Sequence, residues 1–197
     1  MRLPAIPDGV RLLGLCGAPG VGKSAVAAAL AARDGAVVVP MDGFHYPQAE
    51  LVRRGTRDRT GAPETFDAEG YAALLARIRG REQVWAPGFD RIVEEPVPEQ
   101  IEVPAGADLV VTEGNYLLLD EPRWREVRAR LDAVWHLATN DSLRLERLVA
   151  RHVLFGKTRA EAEAWVARVD ESNARLVEAA AVRADCVVDL TDWDAAH

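Results

Sequence analysis

The residues best suited to chemistry form one eight-residue segment, Gly17-Ala18-Pro19-Gly20-Val21-Gly22-Lys23-Ser24. Its spacing is GxxxxGK[ST], in which glycines let consecutive backbone N–H groups turn toward an anion. Lys23 would supply a compact positive charge to the outer phosphates of a nucleotide, and the Ser24 hydroxyl would ligate Mg²⁺. An apolar run precedes the segment and a helix-forming run follows it, which favours a nucleoside triphosphate site over a glycine turn without a ligand.

Asp42 follows a second apolar run, in the segment Pro40-Met41-Asp42-Gly43-Phe44-His45-Tyr46. Phosphoryl transfer to a hydroxyl benefits from a carboxylate that orients the hydroxyl and accepts its proton, and this is the role expected of Asp42. The alternative is an Asp-Gly turn whose carboxylate bonds its own backbone. A carboxylate beside the acceptor would repel a phosphate, so Asp42 favours an alcohol acceptor. His45 and Tyr46 are expected in the acceptor pocket from their position.

Glu113 ends the apolar run Leu109-Val110-Val111-Thr112. At the end of a strand beside the phosphate-binding loop, its carboxylate would hold Mg²⁺ or the waters of that ion near Ser24. A carboxylate that only caps the turn into Gly114 is the alternative. We therefore expect the metal-ligating residues to be Ser24 and Glu113.

Three arginines lie three and four residues apart on a predicted helix, Arg144, Arg147 and Arg151, and so share one face. We expect a lid at about residues 144–160, in which Arg147 and Arg151 close over the β- and γ-phosphates and stabilise charge in the transition state. A solvated helix face, with Glu146 available for pairing, explains Arg144 equally well.

Further polar residues are candidates for binding the substrate. Asp90 and Arg91 lie beside aromatic residues in an irregular segment, and Asn173 interrupts an apolar helical stripe. A buried amide needs a partner, so Asn173 contacts either the substrate or a hydrogen-bonding group of the core. A last group of candidates consists of four arginines, Arg53, Arg54, Arg57 and Arg59. The sequence does not decide whether these arginines bind an anionic substrate or only keep a loop soluble.

The composition limits the class of protein. The chain has 197 residues, 49% of them hydrophobic, and a formal net charge of −7. A single domain over residues 1–197 is expected, and the acidic charge argues against nucleic acid as a partner. Neither a membrane-length apolar run nor a secretory signal is present, so we expect a cytoplasmic protein with no membrane partner. Cys16 and Cys186 are both predicted to be buried thiols of the core.

Five apolar runs with helical patterns between them predict a parallel sheet covered by helices on both faces. They are Arg11–Cys16, Ala36–Pro40, Asp108–Glu113, Ala133–Ala138 and Asp185–Leu190. The carboxyl ends of parallel strands meet at one edge of the sheet, so the loop at residues 17–24, Asp42 and Glu113 should converge on one crevice.

Two segments depart from this alternation. Residues 83–104 contain short β-like pieces separated by prolines and are expected to form a small flap. Thr158 and Glu161 form a capping box that opens a long helix to about Val182. Its inward stripe is predicted to consist of Ala162, Trp165, Val166, Val169, Asn173, Leu176, Val177 and Ala180.

Taken together, these motifs resemble the P-loop kinases of the phosphoribulokinase and uridine kinase group, and most closely type I pantothenate kinase and its shorter, fructose kinase-like relatives. The segments that carry the resemblance cover nearly the whole chain. They are residues 17–24, 41–45, 54–67, 90–91, 112–118, 151–158 and 184–185.

The resemblance implies a three-layer α/β/α fold with a five-stranded core in the order 2-3-1-4-5. It also implies ATP and Mg²⁺ as cofactors and transfer of the γ-phosphate to a hydroxyl of a small molecule, with Asp42 as base, Glu113 near the metal and Arg147 and Arg151 in the lid. The chain is shorter than type I pantothenate kinases, and His45 stands where those enzymes tend to carry an aliphatic residue. A sugar, a polyol or a nucleoside therefore fits the acceptor site at least as well as pantothenate.

Two other functions remain open at this point. A nucleoside monophosphate kinase would use the same loop, but its acceptor phosphate would meet Asp42. A P-loop switch or assembly protein that acts on a protein partner would need neither a base nor an acceptor pocket. The oligomeric state is also open, and a homodimer is one of the states that the sequence allows.

Overall fold

A parallel five-stranded sheet forms the centre of the computed structural model, which describes residues 2–193. The strands of the molecule are β1 (Leu12–Gly17), β2 (Val37–Pro40), β3 (Val84–Asp90), β4 (Glu95–Val103), β5 (Val110–Glu113), β6 (Ala133–Ala138) and β7 (Cys186–Asp189). The α-helices are α1 (Lys23–Asp34), α2 (Gln48–Arg54), α3 (Ala68–Arg79), α4 (Pro122–Arg130), α5 (Asp141–Leu154), α6 (Arg159–Trp165) and α7 (Glu171–Ala179).

The strand order of the sheet is β2-β5-β1-β6-β7. When only these five strands are numbered along the chain, the order is 2-3-1-4-5. The expected order is therefore confirmed. All six residues of β1 and all four of β5 are buried, because helices cover both faces of the sheet. In the register, Leu15 lies opposite Glu113, and Pro40 lies opposite Glu113 on the other side. The ends of β1, β5 and β2 are therefore adjacent.

The two faces of the sheet have separate hydrophobic cores. One contains the fully buried aromatic residues Tyr71 and Trp124, and the other contains Leu13, Leu30 and Trp135. The Tyr71 hydroxyl shares a hydrogen bond with the hydroxyl of Thr112, so the polar end of this buried ring has a partner.

The flap expected at residues 83–104 is a two-stranded antiparallel hairpin of β3 and β4, which form a sheet of their own. A register shift between Ala86 and Gly88 marks an irregularity in the hairpin, and Trp85 is exposed on its surface. The flap therefore consists of two continuous strands, and the expected β-like piece at Ile92 and Val93 lies in the turn between them. β4 accommodates its prolines because it has only one neighbouring strand.

The helix expected from Thr158 to about Val182 is not continuous. The capping box of Thr158 and Glu161 is present, but a π-helical turn at Val166–Asp170 separates α6 from α7. The turn shifts the later residues around the axis, and Leu176, expected on the inward stripe, is exposed.

The two cysteines differ in burial. Cys186, expected to be buried, is half-buried because it begins the edge strand β7, whereas Cys16 is buried as expected.

Met1 and residues 194–197 of the expected single domain lie outside the described residues. Within residues 2–193, no helix combines the length and the apolar character needed to cross a bilayer.

The contact of Gly43 with the hairpin gives a prediction for stability. A Cβ atom on Gly43 would lie 2.2 Å from the Pro87 carbonyl oxygen, which is backbone and cannot turn aside. We expect Gly43→Ala to lower the free energy of unfolding by about 1–3 kcal/mol through overpacking. The melting temperature should fall by about 2–4 °C for each kcal/mol.

The matched control is Gly106→Ala, because a Cβ atom there meets no atom within 4 Å. Thermal unfolding followed by circular dichroism compares the two variants. Equal melting temperatures for Gly43→Ala and Gly106→Ala would contradict the proposed contact.

Candidate active site

The glycine-rich loop connects the end of β1 to the start of α1 and packs tightly against α5. Gly20 has φ +82, and a Cβ atom there would lie 2.6 Å from Leu148 Cγ and 2.8 Å from the Arg144 carbonyl oxygen. Only glycine satisfies both the backbone angle and this approach. Because α1 starts directly after the loop, its unpaired N–H groups and the positive end of its dipole face the space in front of the loop.

Lys23 lies at the first position of α1, and its ammonium group is buried. Nζ donates hydrogen bonds to the carbonyl oxygens of Gly17, at 2.8 Å, and Ala18, at 3.2 Å. Burial lowers the pKa of Lys23, and the nearby Glu113 carboxylate opposes this shift. The loop therefore holds one positive charge at the point where phosphate oxygens would lie.

Ser24 and Glu113 form a direct contact between α1 and the end of β5. The Ser24 hydroxyl donates a hydrogen bond to Glu113 Oε1 at 2.8 Å. Burial, together with the Asp42 carboxylate, raises the pKa of Glu113, although Lys23 counteracts the rise. A hydroxyl and a carboxylate side by side are oxygen ligands of the kind that Mg²⁺ prefers, so these two residues fit the expected ion.

Asp42 lies in a 3₁₀ turn, Met41–Phe44, that follows β2. Its Oδ2 accepts a hydrogen bond from Arg91 Nη2 at 2.8 Å, and Oδ1 accepts none from the described residues. Burial alone would raise the pKa of the Asp42 carboxyl, but the positive charge of His45 whenever it is protonated, and those of Arg91 and Lys23, hold it below its usual range. The carboxylate is therefore ionised and has one oxygen free for a substrate.

His45 lies between two aromatic rings, with centroid distances of 3.9 Å to Phe66 and 4.9 Å to Phe89. Its Nδ1 is 2.9 Å from the Asp42 carbonyl oxygen, so Nδ1 carries hydrogen and donates. Burial lowers the pKa of His45, although the Asp42 carboxylate favours the charged form. A neutral imidazole thus fixes the turn that presents Asp42.

One cavity of about 540 Å³ brings most of the predicted site residues together. Among the predicted residues its wall contains Pro19, Gly20, Gly22, Lys23, Ser24, Asp42, His45, Arg91, Glu113, Arg147, Arg151 and Asn173. The other loop residues lie behind this wall: the carbonyl groups of Gly17 and Ala18 bind Lys23, and Val21 packs in the core. The expected convergence of the loop, Asp42 and Glu113 on one crevice is what the structure shows.

Two helix-α5 arginines reach this cavity beside the loop. Arg147 Nη1 lies 3.8 Å from the position that a Cβ atom would take on Gly22. Burial lowers the pKa of Arg151, and Arg91 nearby adds to the shift. Within residues 2–193, neither Arg147 nor Arg151 forms an ion pair, so both guanidinium groups are available to an anion.

Arg144 is a structural residue, and the expectation of a solvated face paired with Glu146 is wrong. Its side chain is 5% exposed and pairs with Glu171 at 2.6 Å and with Asp141 at 3.1 Å. Nη1 also donates to the Pro19 carbonyl oxygen at 3.4 Å. The inward turn of Arg144 follows from the packing of α5 on the loop, and it fixes the helix that carries the other two arginines.

Two expected pocket residues lie outside the cavity. Tyr46 stacks under the Arg54 guanidinium, which is 3.9 Å from the ring centroid, because the chain turns away from the site after His45. Asp90 accepts hydrogen bonds from the backbone N–H groups of Ile92 and Val93, so its carboxylate stabilises the hairpin turn. Neither residue therefore lies in the cavity wall, and their expected roles in substrate binding stay predictions without support from this geometry.

Asn173 forms the hydrogen bond that the sequence left open and also lines the cavity, where its contact with a substrate stays a prediction. Its side chain is buried at the cavity wall, and Nδ2 donates to the Gly61 carbonyl oxygen at 3.2 Å. The Tyr116 hydroxyl donates to the same oxygen. The Asn173 amide thus holds the loop around Gly61 and retains its carbonyl oxygen for another partner.

Sequence reasoning missed the pair of His152 and Asp170 at the cavity wall. His152 Nε2 lies 2.8 Å from Asp170 Oδ2, and Lys157 lines the cavity nearby, 5.1 Å from the Trp165 ring centroid. Asp170 ends the π-helical turn, which brings it inward. A helical wheel with a uniform period does not predict that Asp170 faces the cavity. The available signal was that an acidic residue lies three positions before Asn173.

Similar proteins point to one group of enzymes. No family model matches the sequence. A "putative uridine kinase" of Schizosaccharomyces pombe is 36% identical, over 90% of this chain and 82% of its own length. A pantothenate kinase of Nocardioides sp. is 35% identical over 54% of this chain, which corresponds to 35% of that enzyme.

A solved structure resembles the whole fold. It is described as a "putative fructose transport system kinase" from Silicibacter sp. TM1040 and is 39% identical to this chain. The TM-score is 0.84, and the match covers 94% of this chain and 93% of the other. A likeness of this extent includes the sheet, the loop and the hairpin.

The neutral state of His45 gives a prediction for pH dependence. The pKa of His45 is lowered in the folded protein, so the unfolded chain takes up this proton first as the pH falls below about 6.5. Stability contributed by His45 is therefore present above that pH and is lost below it. The loss cannot exceed about 1.4 kcal/mol for each pH unit.

We expect the free energy of unfolding of the wild type to fall more steeply than that of His45→Gln between about pH 7.5 and about pH 5.5. Urea titrations of both proteins at the two pH values measure the difference. Parallel changes in the two proteins would contradict a neutral, buried His45.

Proposed function

We propose that this chain, which belongs to the phosphoribulokinase and uridine kinase group of P-loop kinases, transfers the γ-phosphoryl group of ATP to a hydroxyl of a small metabolite. The proposal proceeds from its membership of that group, whose members are nucleotide-binding phosphotransferases. One observation carries the proposal: the ammonium of Lys23 and the carboxylate of Asp42 line the same cavity. This arrangement supports a phosphate site with a hydroxyl site beside it.

The phosphates of ATP would lie along the loop between Gly17 and Ser24. Backbone N–H groups at the start of α1 and the Lys23 ammonium would bind the β- and γ-phosphates. Arg147 and Arg151 would approach from α5 as lid residues and stabilise the charge that develops during transfer. Both arginines lack ion pairs among the described residues, which supports this role.

Ser24 and Glu113 would hold Mg²⁺, because their hydroxyl and carboxylate oxygens lie side by side at the start of α1. Such a site depends on phosphate oxygens to complete the ligand set. When bound, the ion neutralises the charge of the β- and γ-phosphates.

Asp42 would orient the acceptor hydroxyl and take its proton. The free Oδ1 accepts the hydrogen bond from the hydroxyl, the hydroxyl oxygen forms a bond to the γ-phosphorus, and the bond from phosphorus to the β,γ-bridging oxygen breaks. The products are a phosphate ester and ADP, and the proton passes to Asp42. Arg91 lowers the pKa of Asp42 and so makes it a weak base. A loose transition state tolerates this, because the hydroxyl loses its proton late.

The acceptor site supports an alcohol rather than a nucleoside monophosphate. A phosphate that attacked from this position would lie beside Asp42, whose ionised carboxylate would repel it. A switch or assembly protein would need no such carboxylate and no wall of His45, Phe66 and Phe89 around an acceptor. These side chains favour a compact polar molecule with an apolar face.

Replacement of the proposed base tests this function. We expect Asp42→Asn to lower kcat by about 10²- to 10⁴-fold, the usual contribution of a general base, and to leave the KM for ATP nearly unchanged. A coupled ADP-release assay across sugars, polyols, nucleosides and pantothenate identifies the best acceptor of the wild type and then compares the variants.

The matched control is Asp108→Asn, which removes an exposed carboxylate outside the cavity. It should behave as the wild type. Near-normal turnover of Asp42→Asn on the best acceptor would show that Asp42 is not the base.

A further inference from the structure

The four arginines of residues 53–59, at the end of α2 and in the loop after it, differ in their partners. Arg53 and Arg54 both bind the Glu50 carboxylate, with distances of 2.6 Å. Arg59 pairs with Glu64 at 2.9 Å. Three guanidinium groups thus each have a carboxylate partner nearby, although Arg53 and Arg54 share that of Glu50.

Arg57 is the exception among these arginines. It lines the cavity, and no carboxylate of the described residues lies within ion-pair distance of its guanidinium. A guanidinium offers a planar fork of donors that matches a carboxylate or a phosphate. An arginine that faces a binding cavity without a partner therefore has the chemistry of an anion receptor.

The loop that carries Arg57 is fixed against the cavity wall. The Thr60 hydroxyl donates to the Arg57 carbonyl oxygen at 2.7 Å, and the Thr56 N–H donates to the Leu51 carbonyl oxygen at 3.0 Å. At the far end, Gly61 is held through its carbonyl oxygen by Asn173. These bonds fix the backbone on both sides of Arg57, which reduces the entropic cost of binding a ligand there.

The other charges near the acceptor site do not replace Arg57. Arg91 is already paired with Asp42, and Glu94 is an exposed carboxylate on the hairpin, close enough to His45 to favour its charged form. Lys23, Arg147 and Arg151 surround the phosphate-binding loop. Lys157 also lines the cavity, but its ammonium lies over the Trp165 ring, 5.1 Å from the centroid. Among the arginines of residues 53–59, Arg57 is the one left to meet a negative group of the acceptor.

We propose that Arg57 binds an anionic group of the acceptor, so that the substrate is a hydroxy acid or a phosphorylated alcohol rather than a neutral one. The inference rests on the proposed function. The anionic group would lie at Arg57, and the reacting hydroxyl would lie at Asp42, away from the charge that Asp42 would repel. Arg57 is then a specificity-determining residue and takes no part in the transfer step.

The experiment compares acceptors with and without an anionic group: glycerate, which has a carboxylate in place of one hydroxymethyl group of glycerol, with glycerol, and fructose 6-phosphate with fructose. We expect the wild type to prefer the anionic member of a pair. Arg57→Gln should raise the KM for that acceptor by about 10- to 100-fold, as expected from loss of a charge-assisted hydrogen bond. Its kcat, its KM for ATP and its activity on the neutral member should stay nearly unchanged, and Arg57→Lys should restore part of the affinity.

Arg53→Gln is the matched control, because it removes a guanidinium of the same segment that is paired with Glu50. It should leave the KM for the acceptor unchanged. An equal effect of both variants, or an effect of Arg57→Gln on the KM for ATP instead, would overturn the inference.

The same assay separates this inference from the proposed function. If the wild type phosphorylates neutral alcohols as well as their anionic counterparts, the kinase activity stands and the role of Arg57 is wrong. If it binds ATP and phosphorylates neither class, the proposed function fails, and the inference fails with it.

Discussion

The buried ammonium of Lys23 is the constraint on which the rest of the site depends. A charge away from water is costly unless oxygen atoms surround it, and it lies here at the positive end of α1, which adds to the cost. The carbonyl groups of Gly17 and Ala18 and the carboxylate of Glu113 compensate it within the protein. Arg147 and Arg151 add further positive charge beside the loop. The excess makes this end of the cavity a strong site for polyphosphate.

The sheet order turns this local charge into an active site. Because β5 lies between β2 and β1, Glu113 is next to both Lys23 and Asp42, and the three charges share one edge. Their proximity explains the opposite pKa shifts of the two carboxyls: Asp42 lies among cations and is stabilised as the anion, whereas the more deeply buried Glu113 is not. The fold thus separates the carboxylate proposed to ligate Mg²⁺ from the one proposed to face the acceptor.

The sequence predicted those parts of the site that local patterns determine. The loop at residues 17–24 has a fixed spacing, and buried parallel strands give continuous apolar runs, so the loop, Asp42 and Glu113 could be placed at one sheet edge. The strand order came from resemblance to the kinase group. Side-chain direction in irregular segments could not be predicted: Asp90 turned to its own backbone, and Tyr46 turned to Arg54.

Other residues depended on partners that no pattern shows. Four arginines in residues 53–59 look alike in the sequence, and only the positions of Glu50 and Glu64 separate Arg57 from the rest. Asp170 reaches the cavity through a π-helical turn that departs from a uniform period. Arg144 is buried because α5 packs on the loop. Each of these facts is a property of tertiary packing.

The most direct test is a crystal structure with Mg²⁺, a non-hydrolysable ATP analogue and the best acceptor from the screen. The account predicts the terminal phosphate at Lys23 and an acceptor hydroxyl within about 3.2 Å of Asp42, in line with the γ-phosphorus. An acceptor bound elsewhere, with Asp42 held only by Arg91 and facing no hydroxyl, would contradict the claim that the two groups form one active site.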